Sequence, residues 1–168
     1  GSTNWYTTYN TYVCSIFAED ADGDGQREIV TAGSYDDLTR TRAQLRVLRW
    51  TGSAFVTEGS KAWYSVSSTE LRSIAVADVD GDGLKEIVTA GHYWDNSGIT
   101  AFSRAQLRVF RWTGSAFVTE GSTNWYNVGS TYLMSVQAAD VDGDGQVETV
   151  TGGHFFDLTR DRAQLRVF

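Results

Sequence analysis

The chain repeats itself three times. An acidic nonapeptide, an EIVTAG or ETVTGG segment and the hexapeptide RAQLRV follow one another in each copy. The nonapeptides begin at residues 20, 78 and 140, and the hexapeptides begin at residues 42, 104 and 162. Self-similarity at this period indicates a repeat architecture, in which each unit buries its apolar face against its neighbours.

Each repeat predicts four short β-strands. In the first repeat VCSIFAE precedes the acidic nonapeptide, REIVTAG follows it, and AQLRVLRW and AFVTEGSKAWY complete the unit. These segments are rich in β-branched and aromatic residues and are bounded by Gly and Asp. No helical spacing of apolar residues extends over a comparable length. The predicted fold class is therefore all-β, with meandering four-stranded antiparallel sheets.

A unit of about 60 residues with four antiparallel strands is typical of a β-propeller blade. A solenoid is the alternative, although solenoid repeats are usually shorter. We expect a single propeller segment of 168 residues with about three blades. The predicted parts are a partial outer strand over 1–12, blade 1 over 13–66, blade 2 over 67–128, and blade 3, lacking its outer strand, over 129–168.

The three acidic loops, residues 20–28, 78–86 and 140–148, are the leading candidates for a site. Each holds four carboxylates, so together they carry twelve of the 21 Asp and Glu residues. Oxygen donors from alternate positions of such a loop form a shell that suits Ca²⁺, and position 7 would contribute its backbone carbonyl. The predicted ligands are Asp20, Asp22, Asp24, Gln26 and Glu28; Asp78, Asp80, Asp82, Leu84 and Glu86; and Asp140, Asp142, Asp144, Gln146 and Glu148.

Other interpretations of the acidic loops fit less well. An EF-hand needs Glu at position 12, where Thr31, Thr89 and Thr151 stand. Zinc and copper are disfavoured because the loops contain no Cys or His, and magnesium because it holds its waters in a near-ideal octahedron. A solvated Asp-Gly turn is the remaining alternative. Because the carboxylate pattern occurs three times, we expect about three Ca²⁺ per chain.

The stretch IAVADVDGDGLKEIVTAG, followed by AQLRVFRWTGSAF, resembles the FG-GAP or VCBS repeat, the blade of integrin-alpha-like β-propellers. The resemblance extends over essentially the whole chain. It implies that the Asp-rich loop joins the first two strands of a blade and binds calcium through the residues named above. We expect a non-catalytic binding or scaffold module, extracellular or at the cell surface, because millimolar calcium outside the cell would fill weak sites of this type. The chain departs from the family in holding about three blades, where such propellers usually have about seven.

The segments after EIVTAG, residues 34–38, 92–102 and 154–158, form a second candidate site. Aromatic rings stand there beside Asp, Asn and His, a mixture that suits a sugar's CH faces and hydroxyls. Packing of the rings between blades is the alternative. The candidate ligand-binding residues are Tyr35, His92, Tyr93, Trp94, His154, Phe155 and Phe156. A carbohydrate-binding lectin is accordingly the alternative to a scaffold.

Composition and motifs exclude several classes of function. A net charge of -7 disfavours nucleic acid as a partner. No apolar stretch reaches the roughly 18 residues of a membrane span, and the motifs of common enzymes are absent, so we predict no catalysis. Cys14, in an apolar segment, is expected to be buried. Arg46, Arg108 and Arg166 are expected to pair with acidic groups across repeats.

Three blades are too few to close a propeller, and an open arc would leave apolar faces bare. We therefore expect self-association, with the N-terminal segment of one chain docking on blade 3 of another. Two chains would give six blades and three would give nine, and the dimer is favoured over the trimer. The alternative is one section of a longer propeller. A glycan or a protein ligand is the other expected partner.

Overall fold

The structure, a computed structural model, describes residues 1–5 and 9–168. Within these residues the chain forms eleven β-strands and no helix, so the all-β prediction is confirmed. The strands are β1 Thr11–Glu19, β2 Glu28–Asp36, β3 Thr41–Trp50, β4 Phe55–Trp63, β5 Thr69–Ala77, β6 Glu86–Asp95, β7 Phe102–Trp112, β8 Phe117–Trp125, β9 Thr131–Ala139, β10 Glu148–Phe156 and β11 Asp161–Val167. A helix that could span a membrane is accordingly not found in the described part of the chain.

The strands form three antiparallel sheets, one for each repeat. Sheet 1 has the order β1-β2-β3-β4, sheet 2 the order β5-β6-β7-β8, and sheet 3 the order β9-β10-β11. Each strand therefore pairs with its neighbour in the sequence, which is the predicted meander. The four-stranded prediction is confirmed for the first two repeats, and three strands are described in the third. The predicted blade boundaries stay predictions.

The first strand of each following sheet packs on the face of the preceding sheet. Strand β5 contacts β1, β2 and β3, and β9 contacts β5, β6 and β7. Leu45 and Val47 of β3 share one apolar cluster with Ile74 of β5, and Leu107 of β7 shares a second cluster with Val136 of β9. The core thus lies between sheets, as expected for a repeat whose single sheet cannot bury both faces.

This packing brings the acidic loops to equivalent places. Each loop connects the first two strands of its sheet, so the loops lie at the same end of successive sheets. The last strands of sheets 1 and 2, β4 and β8, consist mainly of exposed and partly buried residues, whereas β6 is buried almost throughout. The outer strand is therefore the polar one, as its sequence predicts.

Two expectations about single residues are wrong. Cys14 is exposed, at a bulge of β1 where the pairing with β2 shifts between Val13 and Ser15. The three arginines expected to pair with acidic groups lie over tryptophan rings instead, and no ion pair of the described residues includes them. The guanidinium carbons of Arg46, Arg108 and Arg166 lie 5.1, 5.3 and 4.8 Å from the ring centres of Trp5, Trp63 and Trp125.

The predicted partial outer strand, residues 1–12, is only partly described. Residues 6–8 lie outside the described residues, residues 1–5 have no strand pairing, and Thr11 begins β1. Trp5 nevertheless contacts Arg46 of sheet 1 in the way that Trp63, on the outer strand of sheet 1, contacts Arg108 of sheet 2. Residues 1–5 thus lie against sheet 1 as an outer strand lies against the sheet that follows it.

Candidate metal sites

The first carboxylate of each acidic loop organises the turn. In the first acidic loop, the amides of Gly23 and Gly25 donate to the two carboxylate oxygens of Asp20, at 2.8 and 3.0 Å. Both glycines have positive φ, 80° and 89°, a conformation that glycine adopts without the steric cost of a Cβ atom. The equivalent bonds join Gly81 and Gly83 to Asp78, and Gly143 and Gly145 to Asp140.

The carboxylates at positions 1, 3 and 9 converge in every acidic loop. In each loop, one oxygen from each of the three side chains lies within 4.8 Å of the other two. The groups are Asp20, Asp22 and Glu28; Asp78, Asp80 and Glu86; and Asp140, Asp142 and Glu148. Each of these clusters could hold a metal ion, and each supplies only oxygen, the donor that hard cations prefer.

The glutamate at position 9 links the loop to the sheet. The Ala21 amide donates to Oε2 of Glu28 at 2.8 Å, and the Val79 amide donates to Oε2 of Glu86 at 3.0 Å. Both glutamates are buried, with 1% of their surface exposed. The other oxygen of Glu86, Oε1, is buried and accepts no hydrogen bond from the described residues. Because an unpaired buried acceptor is costly, this oxygen fits a cation that the cluster would hold.

The electrostatics of the second acidic loop also fit a cation. Burial, together with the nearby carboxylates of Asp80, Glu120 and Asp82, raises the pKa of Glu86 to about 7. Burial likewise raises the pKa of Glu28, with Asp22 and Asp24 adding to the effect. Both shifts have one physical origin, since negative charges are held together away from water. A divalent cation among the carboxylates would remove that penalty.

Position 5 does not join the convergent clusters. Asp24 accepts the Gln26 amide at 2.7 Å and the Gln26 side-chain Nε2 at 3.2 Å, and Asp144 binds Gln146 in the same manner. Asp82 has Leu84 two residues on, and its Oδ2 lies 3.8 Å from Nη1 of Arg111 instead. The ligand roles assigned to positions 5 and 7 therefore stay predictions. The sequence signal for this bond was a glutamine two residues after an aspartate, because its side-chain amide can take up the carboxylate oxygen that a metal would otherwise bind.

Cationic side chains and cavities connect neighbouring acidic loops, which the sequence analysis missed. Nζ of Lys85 lies 2.8 Å from Oε1 of Glu19, and this hydrogen bond lowers the pKa of Glu19. A cavity of about 290 Å³ lies between the first and second acidic loops, lined by Asp22 and Lys85 among others. A cavity of about 380 Å³ separates the second and third loops, lined by residues that include Asp78 and Glu148.

The residues of the second candidate site lie mostly at the ends of β2, β6 and β10 and not in loops. His92 and Tyr93 are buried, whereas Trp94 and Phe156 are 41% and 39% exposed. Tyr35, His154 and Phe155 are partly buried. Burial, followed by the charge of Arg72, lowers the pKa of His92 to about 4, so this imidazole is neutral near pH 7. The structure thus leaves two aromatic rings of this set well exposed.

The acidic residues beside these aromatics hold their own turns together. Asp95 accepts from the Ser97 hydroxyl at 2.6 Å and pairs with Nε of Arg104 at 2.5 Å. Asp37 binds Thr39 and Arg42, and Asp157 binds Thr159 and Arg162. These bonds hold the pKa values of Asp37 and Asp157 well below the usual range of an aspartate, and the hydrogen bond from the threonine hydroxyl has the largest effect on each. The carboxylates are therefore parts of the turn.

Comparison with known sequences finds a repeat family whose match contains the first two acidic loops. No curated protein matches the chain. The sequence model of the FG-GAP-like repeat matches residues 20–89, from the first acidic loop to the strand that follows the second. The predicted resemblance is confirmed over that range, and the third acidic loop lies beyond it with the same hydrogen bonds. Residues 20–89 are therefore similar to the FG-GAP-like repeat.

Proposed function

We propose that this chain is a calcium-stabilised β-propeller segment that serves as a non-catalytic binding or scaffold module outside the cell. Three observations support the proposal. The repeats are FG-GAP-like, their sheets are antiparallel meanders, and a cluster of three carboxylates stands between the first two strands of each sheet. Repeats of this family are generally non-enzymatic and often extracellular.

The observation that carries the calcium assignment is the unpaired, buried Oε1 of Glu86. It stands in a cluster with Asp78 and Asp80, where all the donors are carboxylate oxygens and no Cys or His takes part. Such a donor set suits Ca²⁺ better than zinc or copper. Millimolar calcium outside the cell fills sites with dissociation constants of about 0.1–1 mM, which is why we place the module there.

The packing of successive sheets favours a propeller over a solenoid. In a propeller, each meander lays one face on the next meander, and the outermost strand is the most polar. Here β5 and β9 lie on the faces of the preceding sheets, and β8 is the most exposed strand of sheet 2. A solenoid would instead continue one sheet through all repeats, with strands of different repeats paired side by side.

Thermal unfolding in calcium and in chelator tests the proposal. With a dissociation constant near 0.1 mM, about 2 mM calcium contributes roughly 1.8 kcal/mol at each site. Three independent sites give about 5 kcal/mol, so excess chelator should lower the melting temperature by roughly 10–20 °C. Asp80→Asn should lose part of that shift, whereas Asp161→Asn, an exposed aspartate outside the acidic loops, should keep it. An unchanged melting curve in chelator would refute the calcium assignment.

A second candidate, carbohydrate binding, is favoured by the exposed ring of Trp94. An exposed indole offers an apolar face on which a sugar can stack. Trp94→Ala should then abolish binding on a glycan array while the melting temperature stays within about 1 °C, because the removed ring is not part of the core. A large loss of stability, or no glycan bound by the unaltered protein, would leave the scaffold function alone.

A further inference from the structure

The chain contains the same sheet-to-sheet junction twice. At the first junction, Leu71 and Ile74 of β5 are 2% and 3% exposed and cluster with Leu45 of β3. At the second, Leu133 and Val136 of β9 are 3% and 0% exposed and cluster with the third strand β7. Each junction therefore pairs an apolar first strand with the third strand of the preceding sheet.

The polar contacts of the two junctions are also equivalent. The Ile74 amide donates to Oγ of Ser15, and the Val136 amide donates to Oγ of Ser73, both at 3.2 Å. Nε1 of each outer-strand tryptophan donates to a glutamine of the following sheet. These bonds join Trp63 to Gln106 at 3.1 Å and Trp125 to Gln164 at 2.9 Å. A junction that repeats in both apolar and polar detail is a specific interface.

One half of this interface stands exposed on sheet 1. The head face, Val13 and Ile16 of β1, is equivalent in the repeat to Leu71 and Ile74 of β5. Its two side chains are 51% and 65% exposed, although their counterparts at both internal junctions are at most 3% exposed. Residues 1–5 lie beside this face, where residues 1–3, Trp5 and Ile16 line a groove of about 260 Å³.

The other half stands exposed on sheet 3. The tail face, Leu165 and Val167 of β11, is equivalent to Leu45 and Val47 of β3, which are fully buried. Leu165 and Val167 are 73% and 53% exposed. Strand β11 is also the edge of its sheet, whereas its counterparts β3 and β7 pair with outer strands β4 and β8. An edge with a free apolar face is a docking surface for a complementary sheet.

We propose that the head face of one copy of this chain docks on the tail face of a second copy, and that the junction reproduces the two internal ones. Docking would also bring residues 1–5, which already lie against sheet 1 as an outer strand does, beside the open edge of β11 in the other copy. Such a head-to-tail contact closes when two copies exchange it. Two chains bring six sheets together, within the range of about four to eight blades known for propellers.

Light scattering on the whole 168-residue chain tests the docking at micromolar concentration. The expected particle has twice the 18.5 kDa mass of one chain. Ile16→Asp and Leu165→Asp should each give monomers and raise the dissociation constant at least about tenfold, because each places a charge in the apolar junction. Leu38→Asp is the matched control, since Leu38 is as exposed as Leu165, at 73%, but lies in the turn between β2 and β3 and belongs to neither face.

Mixing the two variants separates head-to-tail docking from other contacts. Every junction needs one intact head and one intact tail, so neither variant can associate alone. Together they retain one good junction, between the tail of Ile16→Asp and the head of Leu165→Asp, and should form a mixed dimer. A monomeric parent chain, association that survives both substitutions, or a mixture that stays monomeric would overturn the proposal. The docking proposal rests on the proposed propeller, but neither face contains a calcium ligand. Light scattering can therefore refute the docking, and thermal unfolding can refute the calcium sites, independently of each other.

Discussion

The second and third acidic loops have the same local bonds and different surroundings. In both, two glycine amides bind the first aspartate, and one oxygen of the position 9 glutamate accepts a loop amide. Glu86 is nevertheless buried, whereas Glu148 is only partly buried, and Asp140 and Asp142 are exposed. The second loop lines the cavities on both of its sides, and the third lines the one shared with the second. The repeat therefore sets the geometry, and the neighbouring sheet sets the burial.

The two loops should differ most in how much free energy of unfolding is lost when the glutamate at position 9 is replaced by alanine. In calcium, Glu86→Ala should lower the free energy of unfolding by about 3–5 kcal/mol, from a lost cation contribution of about 1.8 and an unpaired, half-buried Val79 amide of about 1–3. Glu148→Ala should cost only about 2 kcal/mol, because the exposed Val141 amide can turn to water. Urea unfolding curves measure both, and equal costs would show that burial does not separate the loops.

The pH dependence in chelator should reveal the burial of Glu86 directly. Its folded pKa, about 7, lies above the roughly 4.3 of an exposed glutamate, so the folded state binds the proton more tightly. Stability is therefore highest below the unfolded pKa and falls as the pH rises towards 7, by on the order of 3 kcal/mol. Glu86→Gln should flatten this fall in chelator, and Glu148→Gln is the matched control. Stability that rises with pH over the same interval would contradict the assignment.

The smallest effect is expected at position 7, where the two loops differ in sequence. Leu84→Gln would give the second loop the side-chain amide that Gln146 presents to Asp144 in the third, at 3.0 Å. Because Leu84 and the Gln146 bond are both exposed, the free energy of unfolding should change by less than about 0.5 kcal/mol. Calorimetric titration should show calcium affinity altered less than about threefold. A larger change would mean that the side chain at position 7 controls the site.

The sequence predicted the features that each repeat determines locally. Strand order, the antiparallel meander and the glycine conformations at Gly23 and Gly25 follow from short-range patterns of apolar residues, glycine and aspartate. The convergence of positions 1, 3 and 9 is likewise a property of one loop. Each of these features depends on residues a few positions apart, which is the range over which a single sequence is informative.

Most of what the sequence did not predict depends on neighbouring sheets. Cys14 is the exception: its apolar segment predicted burial, yet it is exposed at a bulge of β1, and its equivalent Met134 is 44% exposed although β9 lies on a preceding sheet. Arg108 was expected to find a carboxylate, but the outer strand of sheet 1 places Trp63 under its guanidinium. Glu86 and Glu148 occupy equivalent positions in sequence, and only the packing around them distinguishes their burial. The differences at Arg108 and at the two glutamates arise from contacts between residues far apart in the chain.

The serine and amide bonds between sheets have a consequence for how such a chain can change length. The acceptor Ser15 and the donor amide of Ile74 recur one repeat later as Ser73 and the amide of Val136. Every unit therefore carries a serine acceptor for the sheet that follows it and a donor amide for the sheet that precedes it. If one whole unit were duplicated or deleted in the gene, each remaining pair of neighbouring sheets could still form the same serine–amide bond. An array of this kind could therefore gain or lose a unit and still fold.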